Sequence, residues 1–406
     1  MEKSKTGFSS VAKSALMPQE SMLEVKRQKH RLYIGIPKET SFQENRIALV
    51  PEGVSLLVNN GHEIVIEAGA GASSNFSDND YSEAGARIAY SPEEVYKADI
   101  VLKIAPPSQE DLKLFHDKQT LISILQITMQ NQEYIRQLSS KKITALAFDY
   151  IQDKTGIFPI IKAMGEIVGG TAILIASEYL SNVHHGKGEM LGGMTGVPPT
   201  EVVILGAGTV GEYATRAAMG LGASVKVFDN SLYKLRRLRT NLGTSIYTST
   251  IVPKVFLKAL KNADVAIGAI LATEGRSPCV VTEEMVSEMK AGSVIVDVSI
   301  DQGGCFETSR ITNHTQPVFT KHGVIHYGVP NIASRVSRTA SYALSNIFTP
   351  ILLSFGEEGG MEGMLWADKG VRHGVYLYKG TVTNKFVSDI CKLPYRDLDL
   401  LMAARV

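Results

Sequence analysis

The stretch Glu201-Val-Val-Ile-Leu-Gly-Ala-Gly-Thr-Val-Gly211 decides how the centre of this chain folds. Its first residues, Val202 to Leu205, form a short apolar run rich in β-branched side chains, which is typical of a buried parallel strand. Three glycines follow with the spacing G-x-G-x-x-G, and a helical pattern then runs from Thr209 to Leu221. The pattern therefore predicts a strand that turns tightly into a helix.

Each part of this turn suits a nucleotide pyrophosphate for a separate physical reason. Gly206 permits the tight turn out of the strand, Gly208 has no Cβ and lets phosphates approach the backbone, and Gly211 allows the helix to pack closely on the strand. The free N–H groups of the first helical residues, Thr209 and Val210, would meet the phosphates together with the positive end of the helix dipole. The alternative is a strand–turn–helix unit that holds no ligand, because glycine-rich turns are common.

An acid on the next strand strengthens the prediction of a dinucleotide site. Ser224 to Phe228 is predicted as a second strand, and Asp229 follows it, about twenty residues past the glycines, where a carboxylate accepts hydrogen bonds from the adenosine ribose. This acid favours NAD over NADP, since it would repel a 2′-phosphate. Lys234 and the arginines at 236, 237 and 239 weaken that preference, although they also suit a solvated helix face.

The composition is that of an ordinary soluble globular protein. The 406 residues suffice for two domains, each with its own core. The net charge of +1 gives no reason to expect a nucleic-acid partner. The three cysteines, Cys279, Cys305 and Cys391, are widely spaced and fit a reducing compartment, so we expect a cytoplasmic protein.

The sequence predicts neither a membrane anchor nor a signal peptide. No apolar run reaches the length that we expect of a membrane-spanning helix, and the first thirty residues lack the apolar centre of a signal peptide. Residues 1–31 are polar and mixed in charge, and we interpret them as an N-terminal extension.

Strand and helix patterns alternate along most of the chain. Apolar strand patterns occur at residues 32–36, 63–67, 99–104, 120–125 and 143–148, and again at 264–269, 293–297 and 324–327. Helical patterns lie between the earlier ones, at residues 51–60, 92–97, 109–115 and 131–139. Such alternation predicts an α/β protein whose parallel sheets are covered by helices on both faces.

The order of these elements predicts two Rossmann-like domains. Residues 160–180 form a long helix that crosses between the domains, with glycines that serve helix–helix packing, and residues 339–352 form another that returns the chain. We therefore expect a nucleotide-binding domain over residues 163–334, inserted in a discontinuous substrate or catalytic domain over residues 32–162 and 335–406. A cleft between the domains is the natural place for a small substrate.

Asp301 is the first candidate for catalysis. It lies in Asp297-Val-Ser-Ile-Asp-Gln-Gly-Gly-Cys305, directly after a predicted buried strand, and acids beyond the carboxyl ends of parallel strands point into the ligand crevice. It would orient a water or an amine beside a nicotinamide; equally, it would cap the turn before Gly303 and Gly304. Cys305 has no base near it in the sequence, and we interpret it as a buried thiol.

Polar residues near other predicted strands are candidates for binding. Arg46, between the first strand and the first helix, would hold a carboxylate bidentately; a surface arginine is the alternative. Lys103 ends an apolar strand, where it either extends to solvent or pairs with a ligand. Asn331 would contact the cofactor carboxamide or shape a loop. The adjacent His184 and His185 have no third ligand near them in the sequence, so we predict no metal site.

Taken together, these residues resemble the alanine dehydrogenases, and more distantly the NAD-binding domain of proton-translocating transhydrogenase and saccharopine dehydrogenase. The resemblance runs from Leu32 nearly to the end of the chain. It rests on Gly35-Ile-Pro-Lys-Glu-Thr40, Arg46 with Pro51, Gly61-His-Glu with Ala68-Gly-Ala-Gly71, Gly192-Gly-Met-Thr-Gly-Val197, the glycine motif, Asp297 through Phe306, and Pro330-Asn331. Among these, Asp301-Gln-Gly-Gly-Cys-Phe306 is the most specific for the alanine dehydrogenase branch.

The resemblance implies reversible oxidative deamination, in which L-alanine, NAD and water give pyruvate, ammonia and NADH. Family roles place Arg46 on the substrate carboxylate and Asp301 beside the reacting carbon and ammonia. The same roles line the NAD site with Gly206, Gly208, Gly211, Asp229, Lys234 and Asn331. The family is commonly hexameric, so the resemblance also implies a homo-oligomer.

Two positions depart from the family pattern. Ala105 stands where the family has a substrate-binding lysine, and Gln126 stands where the family has a catalytic histidine. An amide does not titrate near neutral pH, so Gln126 cannot exchange the proton that a histidine would. Lys103, on the same side of the strand and roughly 6 to 7 Å further back, would stand in for the lysine. Transhydrogenase domains lack the same lysine and histidine, so the pocket is partly transhydrogenase-like. Gly165 also replaces a serine that often touches the cofactor.

Three functions are compatible with this sequence. The first is an NAD-dependent amino-acid dehydrogenase acting on alanine or a relative of it, with Asp301 and bound water handling the proton. The second is an NAD-binding protein with a regulatory or structural role, which Ala105 and Gln126 favour. The third is a transhydrogenase-like hydride carrier, which would need a partner domain for NADP and a membrane proton channel in addition to this chain.

Overall fold

A computed structural model describes residues 30–126, 131–271 and 277–404 of the protein. It contains two open β-sheets, one of eight strands and one of seven, which are flanked by helices. The predicted α/β fold with two Rossmann-like domains is confirmed. Most of the predicted N-terminal extension, residues 1–29, lies outside the described residues.

The first sheet is built around six parallel strands from the N-terminal part of the chain. In space they follow one another as β3, β2, β1, β4, β5 and β6, an order that is typical of dinucleotide-binding folds. The central strands are buried almost throughout, because helices cover both faces of a parallel sheet. The strands are β1 (Tyr33–Ile36), β2 (Glu63–Glu67), β3 (Arg87–Ala89), β4 (Ile100–Leu102), β5 (Thr120–Ser123) and β6 (Thr144–Ala147).

Short helices connect these strands, and local polar residues define where several of them begin. Ser77 and Ser108 each form a capping box, in which the serine hydroxyl and the side chain of the third helical residue exchange hydrogen bonds with the backbone. The connecting helices are α1 (Pro51–Asn59), α2 (Asp78–Glu83), α3 (Pro92–Val95), α4 (Gln109–Leu114) and α5 (Gln132–Ser140).

The helix α6 (Pro159–Leu180) joins the two sheets. Its first turn places Ile160 in the core of the first domain, whereas Ala172 and Ile173 belong to the core of the second. Its length and apolar composition would suffice to cross a bilayer, so the prediction that no run reaches that length is wrong. The same composition suits its position here, because the helix packs on both domains and on a neighbouring helix.

The second sheet repeats the strand order of the first. Its parallel strands follow one another as β9, β8, β7, β10, β11 and β13, and β12 adds an antiparallel strand beside β13. The strands are β7 (Glu201–Leu205), β8 (Ser224–Phe228), β9 (Tyr247–Ser249), β10 (Val265–Gly268), β11 (Val294–Asp297), β12 (Val318–Lys321) and β13 (Val324–Tyr327). The connecting helices are α7 (Thr209–Gly220), α8 (Leu232–Leu242), α9 (Pro253–Asn262) and α10 (Glu283–Ser287).

The C-terminal segment returns to the first domain. Helix α11 (Ser337–Glu357) packs Leu344, Phe348 and Leu352 into the core of that domain, and the chain then adds two antiparallel strands beside β6. The second sheet is therefore inserted in a discontinuous first domain, as expected. The remaining elements are α12 (Met361–Ala367), α13 (Lys369–His373), β14 (Val375–Tyr378), β15 (Thr381–Val382), α14 (Lys385–Cys391) and α15 (Leu398–Ala403).

The strongly apolar strands were predictable, and the short edge strands were not. The strand patterns at 63–67, 224–228 and 324–327 agree with β2, β8 and β13 to the residue. The strand β7 begins one residue earlier than predicted, and the other predicted strands are present in shortened form. The strand patterns did not predict β3, β9, β12, β14 and β15, which are short and lie toward the sheet edges. The domain boundaries 32–162, 163–334 and 335–406 stay a prediction at the level of single residues.

The contact between α6 and α7 tests how tightly the interdomain helix is packed. A Cβ added at Gly169 would lie 2.4 Å from the carbonyl oxygen of Val210, whereas a Cβ at the adjacent Gly170 meets nothing within 4 Å. We expect Gly169→Ala to lower the free energy of unfolding by about 1–3 kcal/mol through overpacking. Gly170→Ala, the matched control, should raise it by up to about 1 kcal/mol through helix propensity. Urea unfolding monitored by circular dichroism measures both, and equal effects would contradict the packing.

Candidate active site

A cleft of about 230 Å³ lies between the two domains, at the carboxyl ends of β10 and β11. The second domain contributes the residues that follow these strands, helix α6 forms one wall, and Arg46 enters from the first domain. The carboxyl ends of the strands in an open parallel sheet are where ligands bind. The lining residues are Arg46, Ile161, Met164, Gly165, Val168, Val210, Ala269, Ile270, Leu271, Val298, Ser299, Asp301, Gln302, Val329, Asn331, Ile332 and Ala333.

The glycine turn beside this cleft has the shape that a pyrophosphate requires. Gly206 adopts a φ of 104°, and a Cβ there would lie 2.3 Å from the carbonyl oxygen of Ala269. A Cβ at Gly211 would lie 1.9 Å from the carbonyl oxygen of Gly206, so the helix and the turn touch directly. At Gly208 a Cβ would meet nothing within 4 Å, which leaves room for a ligand against the backbone. The space beside the three glycines is compatible with the separate roles that the motif predicts, and the binding of a pyrophosphate stays a prediction.

The adjoining acid is held beside this turn. One carboxylate oxygen of Asp229 accepts the backbone N–H of Ala207 at 2.8 Å, and the other accepts that of Ser231 at 2.7 Å. The carboxylate thus links the end of β8 to the glycine turn. Lys234 lies in the first turn of α8, and Thr209 and Val210 open α7. The structure therefore groups the predicted nucleotide-binding residues, apart from Asn331, beyond the carboxyl ends of β7 and β8.

Asp297 shapes the loop that carries the candidate catalytic acid. Its buried carboxylate accepts the backbone N–H groups of Ser299 at 3.2 Å, Cys305 at 2.9 Å and Phe306 at 3.3 Å, while burial raises its pKa. Burial also raises the pKa of the Cys305 thiol to about 11, so this cysteine is protonated at neutral pH and suits the predicted buried thiol.

Asp301 lies in a 3-10 turn of this loop and lines the cleft. Solvent reaches its side chain, but the cleft walls surround the carboxylate, and this desolvation raises its pKa. A raised pKa brings a carboxylate closer to the range in which it exchanges protons near neutral pH. Asp301 thus lines the cleft from a tight turn, and both its catalytic role and its turn-capping role stay predictions.

Arg46 reaches the cleft in an ion pair that the sequence analysis missed. Glu44 accepts hydrogen bonds from Arg46 Nε at 2.8 Å and Nη2 at 2.6 Å, and both side chains are nearly buried. Asn331 Nδ2 donates to the same carboxylate at 2.9 Å. The signal available in the sequence was the spacing Glu-x-Arg, in which an acid two residues from an arginine can meet its side chain in an irregular loop.

Of the residues predicted for substrate binding or catalysis, Lys103 and Gln126 lie outside the cleft lining. Lys103 does not stand in for a substrate lysine, because its buried ammonium lies 3.3 Å from Asp111 and 3.6 Å from Glu39. Gln126 is exposed, has a φ of 46° and ends a described segment, and it is not among the residues that line the cleft. Lys103 and Glu39 instead form a buried cluster, in which Glu39 also accepts the backbone N–H of Ile104.

Gly165 and His184, at opposite ends of α6, each have partners in the structure. Gly165 faces Thr209 and Val210 at ordinary contact distance, so it serves the packing of α6 against α7 beside the cleft. His184 pairs with Glu178 at 3.3 Å and stacks beside Tyr179, on the far end of α6.

Comparisons with known proteins agree with this arrangement. Sequence profiles of the alanine dehydrogenase/PNT N-terminal and C-terminal domains match residues 35–168 and 172–385. The chain belongs to the alanine dehydrogenase/PNT family. Alanine dehydrogenase 2 of Staphylococcus aureus strain USA300 is 36% identical over 368 residues, which cover 90% of this chain and 98% of the relative.

Solved structures of this family share the whole two-domain frame. An L-alanine dehydrogenase aligns with a TM-score of 0.83 at 35% identity, over 88% of this chain and 98% of the other. The transhydrogenase from Sinorhizobium meliloti aligns with a TM-score of 0.74 at 25% identity, over 86% and 99%. The family frame therefore extends over both sheets and the cleft between them.

Variants of the first two glycines of the motif, Gly206 and Gly208, separate folding from nucleotide binding. We expect Gly208→Ala to leave the free energy of unfolding within about 0.5 kcal/mol, because its Cβ enters open space. The same methyl group should weaken NAD binding about tenfold or more, equivalent to about 1.4 kcal/mol or more. Gly206→Ala, with a φ of 104° and a contact at 2.3 Å, should instead cost about 1–3 kcal/mol of stability. Calorimetry with NAD and urea unfolding measure the two effects, and destabilisation by Gly208→Ala would contradict this division.

Proposed function

We propose that this protein catalyses the NAD-dependent, reversible oxidative deamination of L-alanine to pyruvate and ammonia. The observation that carries the proposal is that Arg46 and Asp301 line one small interdomain cleft, beside the glycine turn that suits a pyrophosphate. An arginine and an acid on the walls of one apolar cleft match the carboxylate and the ammonium group of an amino acid. Family membership and the similarity to Alanine dehydrogenase 2 support the same activity.

In this mechanism Arg46 holds the substrate carboxylate, and Asp301 faces the α-carbon and its nitrogen. The glycine turn and Asp229 would hold NAD, which would supply an acceptor for the hydride of the α-carbon. Asp301 in its ionised form orients the amine and then the water that replaces it, and its raised pKa allows it to take up a proton as ammonia is released. The apolar lining, including Val210, Val298 and Ile332, restricts water to the positions that the reaction needs.

The side chains of Ala105 and Gln126 cannot exchange protons, so Asp301 and water carry out the proton transfers in this mechanism. Ala105 is buried, and its backbone N–H points to Glu39 at 3.4 Å, so this position supplies no cation. Gln126 carries an amide, which does not titrate. A site with one arginine and one acid still supplies the two contacts that an amino acid requires, and we propose that it works more slowly than a site that has the family lysine and histidine.

We further propose that NAD is preferred over NADP, and that the protein is a cytoplasmic homo-oligomer, a hexamer by family. The Asp229 carboxylate beside the glycine turn supports the cofactor preference, because it would repel a 2′-phosphate. Exposed apolar side chains at Met190, Met194 and Val197 support association of several copies. The three cysteines, which form no disulfide, support a reducing compartment.

Turnover with L-alanine tests the activity and the role of Asp301 together. Purified protein with L-alanine and NAD should generate the absorbance of NADH, and Asp301→Asn should reduce kcat by about 100-fold or more. Protonation removes the orienting charge, so the rate should fall as the pH is lowered through the raised pKa of Asp301, and the acid limb of the profile should lie above the ordinary aspartate range. If calorimetry shows that the protein binds NAD but no amino acid gives NADH absorbance, the proposed activity is excluded.

Restoring the two family residues tests whether the remaining pocket is intact. We expect Ala105→Lys with Gln126→His to raise kcat/KM for L-alanine by about tenfold or more, through an added cation and a group that titrates near neutral pH. Histidine tolerates the positive φ of position 126 better than most residues. Each single variant serves as a control. A double variant that folds and binds NAD but gains no alanine turnover would contradict the proposed arrangement of the substrate.

A further inference from the structure

Glu44 holds the side of the Arg46 guanidinium that faces away from the cleft. Its carboxylate accepts hydrogen bonds from Arg46 Nε at 2.8 Å and Nη2 at 2.6 Å. One of its oxygens also accepts a hydrogen bond from the backbone N–H of Arg46 at 3.1 Å. A guanidinium has five N–H groups, so this side-on pairing leaves the edge between Nη1 and Nη2 available for a second carboxylate. One N–H of Nη1 donates a weak hydrogen bond to the sulfur of Met164, which lines the cleft, at 3.6 Å, and Nη1 has a second N–H. The available edge therefore faces the cleft.

Glu44 is also bonded to the second domain. The Nδ2 of Asn331, which itself lines the cleft, donates to Glu44 Oε2 at 2.9 Å. Asn331 adopts a left-handed conformation with a φ of 58°, directly before the 3-10 turn Ile332–Val336. One carboxylate thus joins the substrate-binding arginine on the first domain to a residue of the nucleotide side.

Hydrogen bonds that do not involve the Glu44 carboxylate hold the neighbouring residues against that 3-10 turn. The Ser334 hydroxyl donates to the carbonyl oxygen of Gln43 at 2.7 Å and accepts the N–H of Asn45 at 2.8 Å. The side chain of Gln43 accepts the N–H of His314 at 2.7 Å. These contacts hold the loop backbone but do not touch the guanidinium, so the chain offers a way to separate docking of the loop from orientation of Arg46.

We propose that Glu44 is a positioning residue that aims the available edge of Arg46 at the substrate carboxylate and makes this aim depend on Asn331 of the nucleotide domain. A nearly buried carboxylate with four N–H donors is held in one place, because loss of a donor would leave a buried charged acceptor with fewer hydrogen bonds. The carboxylate site is therefore complete only when the two domains are docked. This inference rests on the proposed function for the identity of the acid that Arg46 binds.

The first experiment separates orientation from docking by two variants. Glu44→Gln removes the charge that holds the guanidinium, and we expect KM for L-alanine and for pyruvate to rise about tenfold to hundredfold, with a smaller change in kcat, as is expected when a charge-assisted contact with the substrate is weakened. The dissociation constant of NAD should change less than about threefold, well under the 1.4 kcal/mol of a tenfold effect. Ser334→Ala, the matched control, removes docking bonds beside Glu44 and should lower stability without the rise in KM. An unchanged KM in Glu44→Gln, or an equal rise in both variants, would overturn the proposal.

The second experiment uses a reciprocal exchange across the domain interface and does not require turnover. Asn331→Asp places two carboxylates together and should destabilise the protein in urea, whereas the combination of Glu44→Gln with Asn331→Asp restores a donor–acceptor pair. We expect the double variant to recover more than half of the stability lost in Asn331→Asp. No recovery would overturn the link to Asn331. Wild-type protein that turns over neither alanine nor pyruvate would overturn the proposed function alone, since the exchange still reports on Glu44.

Discussion

The close approach of helices α6 and α7 is the constraint on which the rest of the structure depends. At Gly169 the backbone of α6 comes so near to the carbonyl of Val210 that a methyl group would not fit. Val210 also belongs to the first turn of α7, directly after the glycine motif. The helix that links the two domains is therefore packed against the element that would receive the phosphates, and the distance between the domains follows from that contact.

This packing explains why the cleft combines groups from distant parts of the chain. Both sheets have the same strand order, so each one has a crevice at the carboxyl ends of its central strands. Helix α6 brings the second crevice against the loop after β1, and Arg46 enters it from the first domain. Asp301 faces the same space from the loop that buried Asp297 holds in place. The proposed chemistry thus depends on side chains from both domains, because neither domain alone contains both Arg46 and Asp301.

The predictions succeeded where the physical cause was local. The glycine turn depends on the space beside the backbone of Gly206, Gly208 and Gly211, and it can be predicted from their spacing. Apolar strands such as β2 and β13 are buried on both faces, so their apolar runs also predict them. They failed where the cause was a partner elsewhere. Lys103 was expected at the substrate because a cation on an apolar strand suggests a ligand, but it pairs with Glu39 and Asp111 instead. The edge strands were missed because short segments without strong alternation form strands only when a neighbouring strand is already present.

The sequence by itself determined the α/β class, the inserted nucleotide domain, the glycine turn and the family, because each is encoded in spacings of a few residues or in the order of elements. Only the tertiary structure decided what Arg46 does with its two edges. Glu44 and Asn331 are separated by 287 residues, and their hydrogen bond exists because two domains dock around α6. A contact of that kind has no signature in the spacing of side chains, since it depends on where folded surfaces meet.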